Sequence, residues 1–191
     1  MSVVRLRRAK SCAVSSASTA AAARHSRSGP ALSARCTGAP VDVVDVREVG
    51  HAHVCPQLEV EAHGLTLKSA LPPVTLVCQW DWILVERAFD NLLRNAIRFS
   101  PENGVLRVGA TVRERAVELW VEDQGPGVPE DELERIFAPF TQVDPARDHA
   151  SGGYGIGLAL VKRIVELHDG IVVASNQSQG LRVAMTLPIG K

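Results

Sequence analysis

The feature that most limits the fold is a long Gly- and Pro-rich stretch, Gln124 to Gly155, set between two blocks of the same kind. Each block is a helical segment followed by a pair of strand-like runs. A connection of that length without regular structure is unusual in a compact domain and is commonly functional. The first block opens with Trp82–Phe99, where Leu84, Val85, Ala88, Phe89, Leu92, Leu93 and Ala96 recur at helical spacing. Asp81 stands where an N-cap belongs, and Ser100-Pro101 stops the helix. Val105–Val112 and Ala116–Glu122 follow. Val117, Leu119 and Val121 alternate in the second run, and Arg113–Arg115 joins the two as a hairpin. One short helical segment is expected near Glu130–Phe137. The second block is a helix over Gly157–His168, closed by Gly170, and then strands Ile171–Ser175 and Leu181–Leu187. Upstream, Leu65–Pro72 reads as a short strand, and VDVVDVREV from Val41 fits either a helix or a strand. This order predicts an α+β sandwich with helices on one face of a mixed, largely antiparallel sheet.

Charge divides the chain at Val41. Residues 1–41 hold seven basic side chains and no acid, which leaves fourteen basic residues against twenty-one acids in the remainder. A domain with that acidic excess is poorly suited to the nucleic-acid backbone, so no nucleic-acid partner is expected. Residues 1–40 are rich in Ala, Ser and Arg without sustained periodicity, which predicts disorder or loose helix. An Arg- and Ser-rich, acid-poor start also matches an organelle transit peptide or the remnant of an upstream region. Residues 41–191 form the expected domain. No stretch is apolar for long enough to span a bilayer, so no membrane segment is expected and a cytoplasmic location is. Cys12, Cys36, Cys55 and Cys78 are scattered without a C-x-x-C pair, which favours free thiols over a disulfide framework or a zinc site.

Three constellations carry chemistry. Asn91 and Asn95 are four apart on the first helix and share a face, where two amides are costly unless partnered. An amide oxygen is a neutral, hard ligand suited to Mg²⁺, which also draws on substrate phosphates. Arg98 is spaced to meet phosphate, and Phe99 to pack on a nucleotide. The plain alternative is two surface amides at the polar edge of the helix. Second, Asp123-Gln-Gly125-Pro-Gly127 follows a strand directly. An acid there accepts from an exocyclic amine such as adenine N6, while glycines let the backbone approach a flat base. An ordinary Asp-initiated turn is the alternative. Third, Gly153-Tyr154-Gly155-Ile156-Gly157-Leu158 opens the second helix. Its exposed N–H groups and positive dipole end seat phosphates, unless the glycines are simply a hinge. Ile136 and Phe137 lie in the long stretch, where they either anchor a lid over the nucleotide, dock a partner helix or fill a small core beneath the loop.

In order, FDNLLRNAIRFSP, VEDQGPGVP, IFAPF, GGYGIGLALVKRIVELHDG and QSQGLRVAMTLP resemble the boxes of the catalytic and ATP-binding domain of sensor histidine kinases, within the superfamily shared with gyrase and MutL. The likeness covers residues 80–188 and is weaker back to Val41. It implies a two-layer Bergerat-type sandwich with a long ATP lid. It implies that Asn95 is the main Mg²⁺ ligand and Asn91 assists, that Arg98 touches phosphate, and that Phe99 sits by the nucleotide. Asp123 reads adenine N6, Gly125 and Gly127 shape that pocket, and Gly153 through Leu158 form the far hinge of the lid. Thr186, on the last strand, lines the adenine pocket. The implied reaction is a two-component phosphorelay step, with the ATP γ-phosphoryl group passed to a histidine outside this chain. The implied partners are a histidine-bearing dimerisation domain, acting in trans or lying upstream, and a response regulator.

Three departures qualify the likeness. Tyr154 stands where a small residue is usual, which alters lid closure. Gln179-Gly180-Leu181 is a reduced form of the closing glycine motif. The phosphoacceptor, a His before an acid on a long dimerising helix, is missing: His25 lies in RHSRSGP, and His51, His53 and His63 fall early in the domain. Gyrase-like ATPases carry Glu one turn before the Mg²⁺ Asn, and Asn91 at that position cannot take a proton at neutral pH. Phosphotransfer is therefore favoured over hydrolysis. A nucleotide-binding module without catalysis remains the alternative from a different class.

Overall fold

The structure is a computed structural model that describes residues 42–45, 60–142 and 155–189. Strands β1 (Asp42–Asp45), β2 (Thr66–Ala70) and β3 (Thr75–Cys78) precede helix α1 (Trp82–Phe99). Strands β4 (Val105–Val112) and β5 (Ala116–Glu122) follow, and then two single 3-10 turns, Glu130–Glu132 and Arg135–Phe137. Helix α2 (Gly157–Leu167) and strands β6 (Ile171–Asn176) and β7 (Leu181–Pro188) complete the chain. The main sheet runs β2-β4-β5-β7-β6, with β2 parallel to β4 and every other pairing antiparallel. β1 and β3 form a separate antiparallel pair.

Period-two burial sets the layers. Val117, Leu119 and Val121 of β5 lie opposite Leu187, Met185 and Val183 of β7, and all six are buried. They join one core with Val85, Phe89, Leu92, Leu93, Ala96 and Ile97 of α1 and Val161, Ile164 and Val165 of α2. Full burial of a side chain such as Phe89 contributes about 1.5–3 kcal/mol. The other sheet face carries ion pairs alongside exposed Ile171 and Val173. Arg107 pairs with Glu122 at 2.8 Å, and Arg182 pairs with Glu118 at 3.2 Å while lying over the Trp120 ring. Trp120 in turn covers Gly109, where an added Cβ would fall 2.1 Å from the indole.

Local chemistry sets the helix ends as the sequence leads one to expect. Asp81 Oδ1 accepts from Leu84 N at 3.3 Å, and Ser100 N and Oγ both donate to Ala96 O. α2 ends one residue earlier than its periodicity suggests, because His168 acts as its cap. His168 Nδ1 lies 2.7 Å from Ile164 O, and Nε2 accepts from Asp81 N at 3.0 Å. That ring fixes the end of α2 to the start of α1. The segment expected to be helical near Glu130–Phe137 divides into the two 3-10 turns. Cys78 is a buried free thiol, and the other three cysteines lie outside the described residues.

A candidate nucleotide site at the meeting of three segments

The floor of the site is the polar stripe of α1. Asn91 Nδ2 donates to Arg87 O at 2.7 Å, which turns its Oδ1 outward. A Cβ added to Gly157 would sit 3.2 Å from that oxygen, so the amide and the start of α2 are in close approach. Asn95 is half-buried and has no hydrogen-bond partner among the described residues. The Arg98 guanidinium lies over the Phe99 ring, 5.1 Å from its centroid. Asn91 and Phe99 are eight residues apart, about 12 Å along the helix axis.

At the far end of that stripe stands the Asp123 turn. Residue 123 continues the inward parity of Val117, Leu119 and Val121, so its carboxylate faces the helices, and it is only 4% exposed. Oδ1 accepts from Gly125 N at 2.8 Å and Leu181 N at 3.1 Å. Burial raises the Asp123 pKa above its ordinary value; the two backbone donors oppose the rise, and neighbouring Glu122 adds a little to it. With Oδ1 engaged, Oδ2 is the atom left to receive an incoming donor. A Cβ on Gly125 would lie 2.6 Å from Phe99 O, which seats the turn on the end of α1. Gly127 adopts a φ of 73°, a conformation glycine reaches without strain.

The third segment is the start of α2. Gly155, at a φ of 66°, accepts from Phe140 N at 2.9 Å, so the two ends of the long connection are joined. No side chain caps Ile156, and the first intrahelical bond runs from Leu160 N to Ile156 O. The N–H groups of Gly157, Leu158 and Ala159 are therefore left for an anion. Gly153 and Tyr154 lie outside the described residues.

Two expectations change. Ile136 and Phe137 belong to the main core, 7% and 6% exposed, and the turn that carries them packs against α2. Phe140, which is 76% exposed, is the accessible aromatic instead. Thr186 does not join the site. It pairs with Glu118 and Ile171 on the sheet face opposite to Asp123, five residues along β7 from Leu181. Its place was readable from the alternation of Leu181, Val183, Met185 and Leu187, which leaves 186 facing away. Two contributors had no signal of their own in the sequence. One is the Leu181 main-chain N–H. The other is Asn176, whose side chain holds Val128 through Oδ1 at 3.0 Å and Nδ2 at 2.6 Å.

Asn91, Asn95, Phe99, Asp123, Gly125, Gly155 and Gly157 thus border one region, with a buried acid at one end and open helix N–H groups at the other. No group of three or more His, Cys, Asp or Glu suited to a metal occurs among the described residues. A divalent ion here would be held by neutral amide oxygens together with the phosphates of a ligand, and the unpartnered Asn95 amide fits that role.

An α+β sandwich that places an acid-led glycine turn and a glycine-opened helix at the two ends of a paired-amide stripe on one helix is the architecture of an ATP-binding family. The chain belongs to the family described as histidine kinase-, DNA gyrase B-, and HSP90-like ATPase, whose model matches residues 81–191. It is 33% identical over 153 residues to the signal transduction histidine-protein kinase BaeS of Escherichia coli strain K12, covering 79% of this chain and 32% of BaeS. The chain therefore spans about a third of that relative's length. The mycobacterial sensor histidine kinase MprB aligns at a TM-score of 0.65 and 27% identity, over 78% of this chain and 97% of that structure. Full-length ShkA in complex with AMPPNP aligns at a TM-score of 0.65 and 26% identity, over 79% of this chain and 31% of ShkA.

Proposed function

We propose that this domain binds ATP with Mg²⁺ in the region between α1, the Asp123 turn and α2, and donates the γ-phosphoryl group to a histidine of a separate dimerisation domain. The observation that carries the reading is the pairing of Asp123, buried with Oδ2 unengaged, with the Asn91–Asn95–Phe99 stripe about 12 Å long that leads to open N–H groups. Adenine N6 donates to Asp123 Oδ2. The phosphates run along the stripe, where Asn95 and Asn91 offer oxygens to the ion and Gly157 and Leu158 offer N–H groups to the phosphate oxygens. Held by Asn95 and Asn91, such an ion would neutralise phosphate charge. The chain's own residues orient the phosphates and leave the γ-phosphorus open to in-line attack. An imidazole nitrogen forms the new N–P bond, the bond to the ADP oxygen breaks, and the imidazole proton passes to solvent.

Two features favour transfer over hydrolysis. Asn91 stands where a water-activating carboxylate would be needed, and Asp90, one residue round the helix, has its Oδ1 buried. We place the acceptor outside the described residues: His63 lies in the turn before β2 and on no long helix, and both ring nitrogens of His168 are engaged. No helix among those residues is long and apolar enough to cross a membrane. The similarity to sensor kinases supports a response regulator as the next acceptor, and supports a cytoplasmic setting for the reaction. Incubating the chain with Mg²⁺, γ-labelled ATP and a histidine-bearing dimerisation domain tests the proposal. Acid-labile label on that domain, with slow ATP loss in its absence, is expected. Binding without transfer would make the chain a non-catalytic module, and rapid hydrolysis by the chain alone would make it a gyrase-like ATPase.

A further inference from the structure

The turn that carries Gly125 and Gly127 is held in an uncommon way. From Gln124 to Val128 it makes no backbone–backbone hydrogen bond among the described residues. Among those residues, two side chains hold its main chain. Asp123 takes Gly125 N at the front, and Asn176, the last residue of β6, takes both polar groups of Val128 at the back. Asn176 therefore supplies the donor and acceptor that a neighbouring strand would supply. Its Oδ1 also lies 2.8 Å from the place a Cβ on Gly127 would occupy, so the amide and the left-handed Gly127 fit together.

Packing does not replace this clamp. Behind the turn is an open cavity of about 420 Å³, bounded by Pro101, by the turn itself and by the β6–β7 connection from Asn176 to Gly180. A turn released from Asn176 has room to fall back into it. The Gly125 N–H would move with the turn and loosen the Asp123 carboxylate to which it is bonded.

We propose that Asn176 is a positioning residue for base recognition: by clamping Val128 it fixes the turn against which adenine packs and, through Gly125, the carboxylate that reads the base. The proposal rests on the ATP-binding reading above. Asn176 touches no nucleotide in that reading, and its side-chain hydrogen bonds run to Val128 and Glu130 rather than to α2. Its removal therefore weakens recognition of the base and leaves the phosphate contacts in place.

The test is calorimetric titration of the whole chain with Mg·ATP and Mg·GTP. The variants are Asn176→Ala, Asn176→Asp and, as a control, Val173→Ala on the exposed outer face of the same strand. Asn176→Ala is expected to weaken ATP by about tenfold or more, since both bonds to Val128 are lost together with the 3.4 Å bond to Glu130. It is also expected to narrow the ATP-to-GTP ratio, which general loosening of the domain would leave unchanged. Asn176→Asp keeps the acceptor for Val128 N but sets an oxygen against Val128 O and Glu130, so it should weaken ATP and narrow the ratio at least as far as Ala. Val173→Ala should match wild type. Should Asn176→Ala unfold the domain, the Asp variant still reads the ratio. ATP affinity and an ATP-to-GTP ratio at wild-type values in both Asn176 variants would overturn the proposal alone. A wild-type chain that binds no ATP would overturn it together with the reading on which it rests.

Discussion

Replacing Asp123 by Asn separates two duties of one side chain. In the native protein Oδ1 accepts from Gly125 N and Leu181 N, at 2.8 and 3.1 Å. Both donors are main-chain groups and cannot rotate. The amide must keep its oxygen on them, which puts Nδ2 where Oδ2 was. The atom facing the base changes from acceptor to donor. Adenine offers an amine at that point, so two donors meet, whereas guanine offers a carbonyl. A hydrogen bond to a charged group is worth about 1.5–3 kcal/mol, so ATP affinity should fall about 10- to 150-fold, and GTP should not share the loss. Stability moves separately. Burial raises the Asp123 pKa in the folded state, so the unfolded chain gives up its proton first as pH rises. Stability therefore drops between the ordinary carboxylate value and the raised one, and the deficit persists above it. The Asn variant carries no such charge. It should be at least as stable as wild type at neutral pH, with a flatter profile through the mildly acidic range. Titration calorimetry with both nucleotides, alongside thermal unfolding across that range, reads both effects. Unchanged ATP affinity, or equal loss of ATP and GTP, would refute the assignment of Oδ2 to the base.

Asn95→Ala should leave the unfolding midpoint within about 0.5 kcal/mol of wild type, since the amide has no partner to lose, and should abolish the Mg²⁺-dependent gain in ATP affinity while sparing AMP; an intact Mg²⁺ effect would remove Asn95 from the metal site. Gly180→Ala forces a side chain onto a φ of 89° and within 2.0 Å of Asp123 O, so chemical denaturation should show a loss of at least about 1–3 kcal/mol. A midpoint equal to wild type would mean that this turn is not as tight as described. Trp80→Phe removes the 2.7 Å bond to Pro188 O and should cost about 1–3 kcal/mol, read as a midpoint lower by several degrees with ATP affinity unchanged.

What the sequence made legible is what period and local chemistry control. Trp82–Phe99 combines a strong apolar stripe with Asp81 and Ser100-Pro101 at its ends, and its bounds agree with the helix observed. β4 and β5 were equally plain, because the hairpin turn and the alternation coincide. Thr75–Cys78 escaped notice because four residues after two prolines carry little periodic signal; their strand character comes from pairing with β1. The parallel pairing of β2 with β4 is likewise invisible locally, since a whole helix intervenes. Within the site, Asn95, Asp123 and Gly157 announced themselves as residue types out of place for a core or an ordinary turn. Thr186, which the family likeness puts in the adenine pocket, faces the other side of the sheet because β7 alternates with Leu181, Val183, Met185 and Leu187 buried. Asn176 looked like any polar residue before a turn, and its contact with Val128 crosses 48 positions.

A crystal structure of the chain with Mg²⁺ and a non-hydrolysable ATP analogue decides whether a paired-amide helix, an acid-led turn and a glycine-opened helix surround a single nucleotide. The adenine amine should lie on Asp123 Oδ2, the ion against the Asn95 amide oxygen, and the phosphates against the N–H groups of Gly157 and Leu158. An analogue seated elsewhere, for example in the cavity behind the turn between Gln124 and Gln179, would contradict that arrangement.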